Sequence, residues 1–425
     1  MFSPVKWLER VFLGFVVVLL MFFGLWQGLK FQYFSMDFFL VSFDFVWMDA
    51  LFSVFTFSMF TGVSLVFLIY EIVFKDNEVL GEIDGLVSVV IPVYKDSSVL
   101  RRSVESVLES NDVELEVLIV AEEEDDECIS VADELASEYG SVRSLVNKGE
   151  NGKAASINYA VEQSRGDYLA FFDADQTVHS KFLADAVAHL SDYEVVQGRR
   201  IPEPEGLIES ISYYEKVVFR LSSQLMRLIS FETVLSSSTV MKRDIFKSMD
   251  GYRNDKATED IDFGHRCFRE NVNTVKAKRY PTYMKAPHTL KDLWGQKKRW
   301  VLGQIEVLHG NIKTFLTSGP SKRLFISTLI LSMTIFGNLL MLTLIPKFFL
   351  LIFINFYLPI LTSFLILSTA ALILRIHDIR TGKINGIGWT WILIPFTYIL
   401  YSTLIVKSIF EYTFTWEGQW YRVEK

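Results

Sequence analysis

Cysteine is scarce: Cys128 and Cys267 are the only two in 425 residues, too few for a disulfide framework. Charge is absent from long stretches. No Asp, Glu, Lys or Arg occurs in Val11–Leu29, Ala50–Tyr70, Leu324–Pro346, Phe348–Leu374 or Ile384–Val406, windows of 19, 21, 23, 27 and 23 residues. All 92 charged residues fall in the other 312 positions, which are therefore about 29% charged, close to an ordinary soluble protein. That split excludes both a single soluble globule and a chain buried throughout in lipid. A positive excess is lacking too. The net charge of −8 gives no support to nucleic-acid binding. No internal repeat or low-complexity linker is present, and 50% hydrophobic content excludes disorder as the dominant state.

A hydrocarbon core of about 30 Å takes roughly 20 apolar residues as a helix, so each window is long enough to span a bilayer. The competing reading, a buried core helix, applies best to one of the last three windows, where Pro346, Pro359 and Pro395 interrupt. The first window follows Lys6 and Arg10 but lacks a small-residue cleavage site, which points to a retained anchor rather than a signal peptide. Lys6 and Arg10 orient the N-terminus to the cytoplasm, and Lys30–Asp49, with one Lys and three Asp, to the outside. The charged block that follows is then cytoplasmic. Arg375, Arg380 and Lys383 agree with that side. Five spans put Glu411–Lys425 outside, unless Trp416, Trp420 and Tyr421 lie in an interface. The expected organisation is two transmembrane helices in 1–75, an α/β domain in 76–285, amphipathic interfacial helices in 286–323, and about three transmembrane helices in 324–425. The expected location is the cell membrane, multi-pass, with the lipid bilayer as a partner.

Within the block, apolar β-rich runs alternate with helical spacing. Leu86–Tyr94, Leu115–Val120, Val142–Val146, Tyr168–Phe172 and Tyr193–Gly198 read as strands. Ser98–Ser110, Cys128–Glu138, Ala154–Gln163 and Asp185–Leu190 read as helices, and Gly206–Ser230 as an amphipathic stretch. Such alternation implies a mostly parallel sheet with helices on both faces, whose ligands sit beyond the carboxyl ends of the strands. Those ends are acidic: Lys95-Asp96, then Glu122-Glu123-Glu124-Asp125-Asp126, then Asp173-Ala174-Asp175. Two carboxylates one residue apart repel each other. As hard oxygen ligands they suit Mg2+ or Mn2+ shared with a phosphate-bearing substrate. A solvated turn is the plain alternative.

Several motifs occur in order. They are Val89-Val90-Ile91-Pro92-Val93-Tyr94-Lys95-Asp96, the Lys- and Gly-rich stretch Asn147–Asn158, Phe172-Asp173-Ala174-Asp175, Val196-Gln197-Gly198-Arg199, Thr258-Glu259-Asp260 and Gln296-Lys297-Lys298-Arg299-Trp300. In this the chain resembles the membrane-embedded family 2 glycosyltransferases, the branch of hyaluronan, chitin and cellulose synthases, from about Val87 to Leu308. The resemblance implies a GT-A-like α/β domain joined to an α-helical transmembrane bundle. It implies an inverting transferase that uses a nucleotide-diphosphate sugar, UDP-linked in the commonest case, and a polysaccharide or lipid-linked acceptor. Pro92, Tyr94, Asp96, Glu122, Lys153 and Asp173 are implied for donor binding, and Asp173 and Asp175 for the metal. Glu259, Asp260 and Arg299 are implied for catalysis, and Gln296, Arg299 and Trp300 for the acceptor and diphosphate. Where many relatives have Asp-Asp-Gly-Ser, this chain has Glu122-Glu123-Glu124-Asp125, and Lys95-Asp96 stands where Asn-Glu is usual.

The chemistry fits those residue types. Lys153 opens a helix after Gly152, so its ammonium and the free N–H groups favour phosphate. Thr258 is placed to cap a helix with Glu259 and Asp260 in its first turn, and Asp260 is the candidate base. The helix dipole lowers an Asp pKa, so burial or a neighbouring carboxylate must raise it for efficient proton abstraction. Gln296, Arg299 and Trp300, at i, i+3 and i+4, share a helix face. Arg299 can bind a diphosphate bidentately. An amphipathic interfacial helix accounts for the same spacing. His288 reads as structural, and the two cysteines as reduced and buried. A single-sugar transferase acting on a lipid carrier or glycolipid, and a catalytically inactive transport or scaffold subunit, are the competing functions.

Overall fold

The computed structural model describes residues 37–38, 41–74, 85–110, 112–226, 229–319, 321–386 and 388–414. The first charge-free window, Lys6, Arg10, Lys30 and the aromatic tail Trp416, Trp420 and Tyr421 lie outside them. In chain order the short strands β1 (Asp37–Phe38) and β2 (Val41–Ser42) precede helix α1 (Phe43–Phe74). Then come β3 (Val87–Val93), α2 (Ser97–Leu108), β4 (Leu115–Glu122), α3 (Asp126–Glu138), β5 (Val142–Asn147), α4 (Lys153–Gln163), β6 (Tyr168–Phe171), β7 (Gln176–Val178) and α5 (Phe182–His189). These are followed by β8 (Val195–Pro202), α6 (Leu207–Met226), β9 (Thr239–Lys242), α7 (Arg243–Ser248), α8 (Glu259–Arg269), β10 (Thr274–Met284) and α9 (Leu290–Ser318). Helices α10 (Lys322–Phe353), α11 (Leu358–Arg380) and α12 (Ile394–Phe414) complete the described chain.

Two compact units divide it. One comprises Asp76–Tyr213, Phe231–Ser332 and Lys407–Lys425; the other comprises Met1–Lys75, Tyr214–Ser230 and Met333–Val406. The first unit holds an eight-stranded sheet of order β5-β4-β3-β6-β9-β8-β10-β7. The β5-β4-β3-β6 half is parallel, as the alternation predicts. Strand β9 then runs antiparallel between β6 and β8, and β10 pairs parallel to β8 and antiparallel to β7. The sequence reading misses β7, β9, α7 and β10. Lys276, Lys278, Arg279 and Pro281 make β10 look like a loop, and its register shifts between Ala277 and Thr282, around the proline that cannot donate to the ladder.

The apolar runs are nearly continuous because both faces of the sheet are covered. Val87, Val89, Ile91 and Val93 point with Val117, Ile119 and Ala170 into one core, alongside Leu100, Val104, Leu135 and Phe182 of the helices. Val90, Leu118, Val120, Leu169 and Phe171 point into the opposite core, against Ile157 of α4 and Phe263 of α8. Burial on both sides fixes the period-two register, since a one-residue slip would exchange the faces. One polar clamp adds to it. Glu116 in β4 is buried and accepts from the Ser88 hydroxyl at 2.7 Å and the Arg165 backbone N–H at 2.6 Å. Ser88 Oγ in turn accepts from Gly166 N at 2.7 Å. A Cβ on Gly166 would lie 2.4 Å from the Leu86 carbonyl, so glycine is required where β6 enters beside β3.

In the other unit, α1 and α11 pack along each other. Gly62 faces Ile366, and the Ser58 and Ser363 hydroxyls meet at 2.6 Å. Two helical stretches among the described residues, Ala50–Ile72 and Leu358–Arg380, are long and apolar enough by length and composition to cross a membrane. The expectation of a single span over Phe348–Leu374 is corrected. The chain turns between α10 and α11, with Asn355 in the left-handed region at φ 60° and Pro359 starting the next helix. In the last window the helical part begins only at Thr390, after positive-φ Gly386 and Gly388.

Burial pushes the Glu116 carboxyl up, but the Arg165 N–H, the Ser88 hydroxyl and the Arg165 guanidinium outweigh it and leave the pKa below the ordinary 4.5. A carboxyl depressed on folding stabilises above its unfolded pKa, and that contribution is lost as pH falls through the folded value. Glu116→Ala should therefore cost about 2–4 kcal/mol at neutral pH, by loss of charge-assisted bonds and stranding of their donors. Denaturant titrations at neutral pH and at a pH below 4.5 check this: the gap between variant and parent should shrink at the acidic one.

Candidate active site

The parallel strands β3, β4, β5 and β6 all end on one edge of the sheet, and the acidic turns meet there. After β3, Lys95 adopts φ 56°, and the Asp125 carboxylate holds its N–H. Asp125 also caps α3 by accepting from Cys128 N at 3.2 Å. It is 7% exposed, so this member of the acidic run is a buried tie between two strand ends, where the sequence left a solvated turn open as an alternative. Pro92 is half-buried at the end of β3, Tyr94 is exposed beyond it, and Asp96 stands at the N-cap of α2.

Glu122 closes β4 with its carboxylate turned inward. It accepts from Ser156 Oγ at 2.6 Å, Gly152 N at 3.2 Å and Asn147 Nδ2 at 3.2 Å. These bonds fasten the Lys- and Gly-rich loop to α4. Gly152, the N-cap of α4, sits at φ 123° and ψ 156°, a backbone region in effect restricted to glycine. A Cβ there would also lie 2.9 Å from Asn254 Oδ1. The loop so held starts α4 at Lys153.

Lys153 reaches across to Asp173 after β6, with Nζ 2.5 Å from Oδ1, and stands 4.0 Å from Glu259 Oε1. Asp175 is buried, at 6% exposure. Gln176 is fully buried and accepts at Oε1 from the Asp173 N–H at 3.2 Å and from Ser238 Oγ at 3.2 Å. Its amide donates to Ser237 Oγ at 3.3 Å, and Arg200 Nη1 donates to the same hydroxyl at 2.8 Å. Ser236 Oγ donates to Glu259 Oε1 at 2.7 Å. The serine run 236–238 and the residues Gln176 and Arg200 are thus part of the site that sequence reasoning missed. Three hydroxyls before a strand were the available signal.

Thr258 is the N-cap of α8, as the sequence predicts, although its side chain makes no capping bond. Glu259 and Asp260 fill the first turn. Asp260 is half-buried, and its Oδ1 accepts from Ile261 N at 2.8 Å. Burial pushes the Asp260 carboxyl above its ordinary 3.8, and the adjacent Glu259 charge adds to the rise. Lys153, Arg200 and Arg299 pull it back. That set brings the start of α4, β8 and α9 within electrostatic reach of one carboxylate. Gln296, Lys297 and Asp292 of α9 are buried, and the Lys297 ammonium lies 3.8 Å from the Trp300 ring centroid. His288 pairs with Glu209 at 2.5 Å, consistent with a structural role. Cys128 and Cys267 are free and buried, and burial pushes each thiol up to about 12.

Among the described residues no three His, Cys, Asp or Glu side chains gather as a metal-ligand set. Asp173 and Asp175 offer oxygen ligands only, two in number. That set fits a hard cation that completes its shell with substrate phosphates and water, and it does not suit a soft metal.

Residues 88–249 match the family model for glycosyl transferase family 2. A probable glycosyltransferase of Bacillus subtilis, YdaM, is 22% identical over 369 residues, which cover 80% of this chain and 86% of that one. The poly-β-1,6-N-acetyl-D-glucosamine synthase of Staphylococcus epidermidis is 24% identical over 253 residues, 57% of this chain and 59% of its own length. Among solved structures, a mannosyltransferase of Pyrobaculum calidifontis in complex with GDP-Man and Mn2+ superposes with a TM-score of 0.53. It is 14% identical, and the match covers 88% of this chain and 99% of that one, which bears on the fold alone.

If Asp260 must be ionised to accept a proton, the rate of sugar transfer should fall as pH drops through its pKa. The midpoint of that acidic limb should lie above 3.8. Glu259→Gln removes a like charge, so it should move the midpoint down. A pH–rate profile of kcat for parent and variant reads both. An unmoved or rising midpoint would remove Glu259 as a cause of the shift.

Proposed function

We propose that this glycosyltransferase, whose family 2 domain takes sugar from a nucleotide sugar, is an inverting, metal-dependent enzyme acting at the membrane. Its acceptor is a growing polysaccharide or a lipid-linked glycan. The observation that carries the reading is Asp260: a half-buried carboxylate, raised in pKa, facing Lys153, Arg200 and Arg299, with Asp173 tied to the same lysine.

Proton transfer and charge then follow from these residues. Asp260 takes the proton of the acceptor hydroxyl as its oxygen attacks the anomeric carbon from the side opposite the diphosphate. The bond between that carbon and the diphosphate oxygen breaks, and its electron pair leaves with the diphosphate, inverting the centre. Lys153 at the start of α4, with the free N–H groups of that helix end, offsets the negative charge that builds on the leaving group. Arg299, with Gln296 and Trp300 on the same face of α9, serves the diphosphate and the acceptor sugar. Asp173 and Asp175 would hold Mg2+ or Mn2+, which when bound would supply Lewis-acid neutralisation of the diphosphate. Pro92, Tyr94 and Asp96 line the mouth of β3, where the nucleotide enters.

Membrane attachment is supported by the two apolar helical stretches and by the charge-free windows beside them. We place 1–75 and 324–425 with the bilayer in a multi-pass arrangement, 76–285 as the cytoplasmic catalytic domain, and 286–323 at the interface. Intact Asp173, Asp175, Asp260 and Gln296-x-x-Arg299-Trp300 weigh against an inactive scaffold.

Purified full-length protein in lipid, given radiolabelled UDP- and GDP-sugars with Mg2+ or Mn2+, should transfer label. Product size separates a polymer from a single-sugar lipid. Asp260→Asn should abolish transfer, at least about 1,000-fold in kcat, while nucleotide binding by calorimetry persists. A folded protein inert toward every donor would sink the enzyme reading, and an active Asp260→Asn would sink the base assignment.

A further inference from the structure

We infer that Gly303 and Glu306, beyond the Gln-x-x-Arg-Trp motif on α9, are positioning residues that seat the Thr258-Glu259-Asp260 turn. The inference rests on the proposed role of Asp260 and adds the device that aims it.

Gly303 lies in the interior of a 29-residue helix, where glycine is less stabilising than alanine. Its backbone is not in the left-handed region, so conformation does not call for glycine there. Space does. A Cβ at 303 would lie 1.9 Å from Thr258 Oγ1, 2.5 Å from Thr258 Cγ2 and 2.6 Å from Thr258 Cβ. Rotating the threonine relieves the first two contacts and leaves the third, because Cβ is fixed to the backbone. Any side chain at 303 must therefore push the N-cap of α8 away from α9. Thr258 is 3% exposed and its hydroxyl makes no hydrogen bond among the described residues, so it is held here by shape.

One turn on, Glu306 Oε2 accepts from the Ala257 N–H at 3.0 Å, and Oε1 stands 3.6 Å from Lys256 Nζ. Residues 296, 299, 303 and 306 recur at helical spacing along one face of α9. The far end of α8 is fixed to the same helix, where Arg269 donates to Asn311 Oδ1 at 2.5 Å. Helix α9 thus grips α8 at both ends. Arg299, which acts on the Asp260 charge, is four residues from the notch that sets where Asp260 stands. A shift of the N-cap moves the base relative to donor and arginine together, and displacements near 1 Å can cost about 100-fold in rate.

The test uses the full-length protein. Gly303→Ala should lower kcat by about 100-fold with donor KM changed less than about threefold, while the protein stays folded with a melting temperature lowered by no more than about 10 °C. Combining it with Thr258→Gly should recover about tenfold of the lost kcat, because the Cβ that rotation cannot move is gone and glycine is tolerated at an N-cap. Glu306→Gln, which keeps an accepting oxygen for Ala257 N–H, should retain more activity than Glu306→Ala. Hydrogen exchange of 256–262 reads the geometry without turnover: it should quicken in Gly303→Ala and slow again in the double variant. Unchanged exchange in Gly303→Ala, or a double variant no better than the product of the two singles, overturns the inference. The exchange pattern as expected with no transfer from any donor would leave the seating in place and overturn the proposed function instead.

Discussion

Four carboxylates, Asp173, Asp175, Glu259 and Asp260, stand around one edge of the sheet, and the site can form only if their repulsion is offset. Lys153 does part of this, 2.5 Å from Asp173 and 4.0 Å from Glu259, and Arg200 and Arg299 act with it on Asp260. Its position depends on a chain of local requirements. Gly152 must take a backbone angle closed to other residues, and Glu122 must hold Gly152, Asn147 and Ser156. A lysine at a helix start is disfavoured by the dipole, so the carboxylates it faces make that placement tolerable. The same balance sets the Asp260 carboxyl: burial and Glu259 raise its pKa, and the cations limit the rise.

Around this centre, neutral polar groups do the aiming. Gln176 links the Asp173 backbone to Ser237 and Ser238, and Ser237 receives Arg200. Gln197 fixes the same segment, accepting from Leu235 N at 2.7 Å and donating to the Ser237 and Ser238 carbonyls. Ser236 then holds Glu259. Each buried amide and hydroxyl here is satisfied by another, which is how a polar network rigidifies a site instead of weakening it. Gly198, whose added Cβ would lie 2.6 Å from the Phe182 ring and 2.9 Å from the Ser238 carbonyl, lets β8 approach that segment.

Much of this was legible in the chain. The doubly covered half of the sheet shows as Val-, Ile- and Leu-rich runs, and the charged motifs fall at strand ends, where a parallel topology puts ligands. Thr258 as N-cap, with Asp260 in the first turn, follows from residue type and spacing. Other features leave no periodic trace. Strand β10 is interrupted by a bulge and a proline, and β9 is only four residues long. The serine run gains meaning only when Gln176 and Arg200, distant in sequence, arrive beside it. Glu122 and Asp125 look alike as members of an acidic run. What separates them is which buried N–H each one meets, a property of three dimensions. Gly303 reads as a weak point in a helix until its neighbour across the gap is known.

The charge-free windows end where the apolar unit becomes specific. Glu71 closes the second window, is 3% exposed, and accepts from Arg220 of α6 at 2.5 Å. Neither ion could be buried alone at tolerable cost, so each fixes the other. An amphipathic helix such as α6 could slide along an apolar neighbour with little penalty; a buried ion pair gives it one register. Arg375, at the close of the fourth window, acts alike, donating to the Gly386 carbonyl at 3.0 Å and to the Tyr214 hydroxyl at 3.3 Å. Lys347, between the third and fourth windows, donates to Ser53 Oγ at 2.7 Å. Apolar surface supplies attraction between these helices without direction. The few charges at the window borders supply the direction, which is why charge is sparse there without being dispensable.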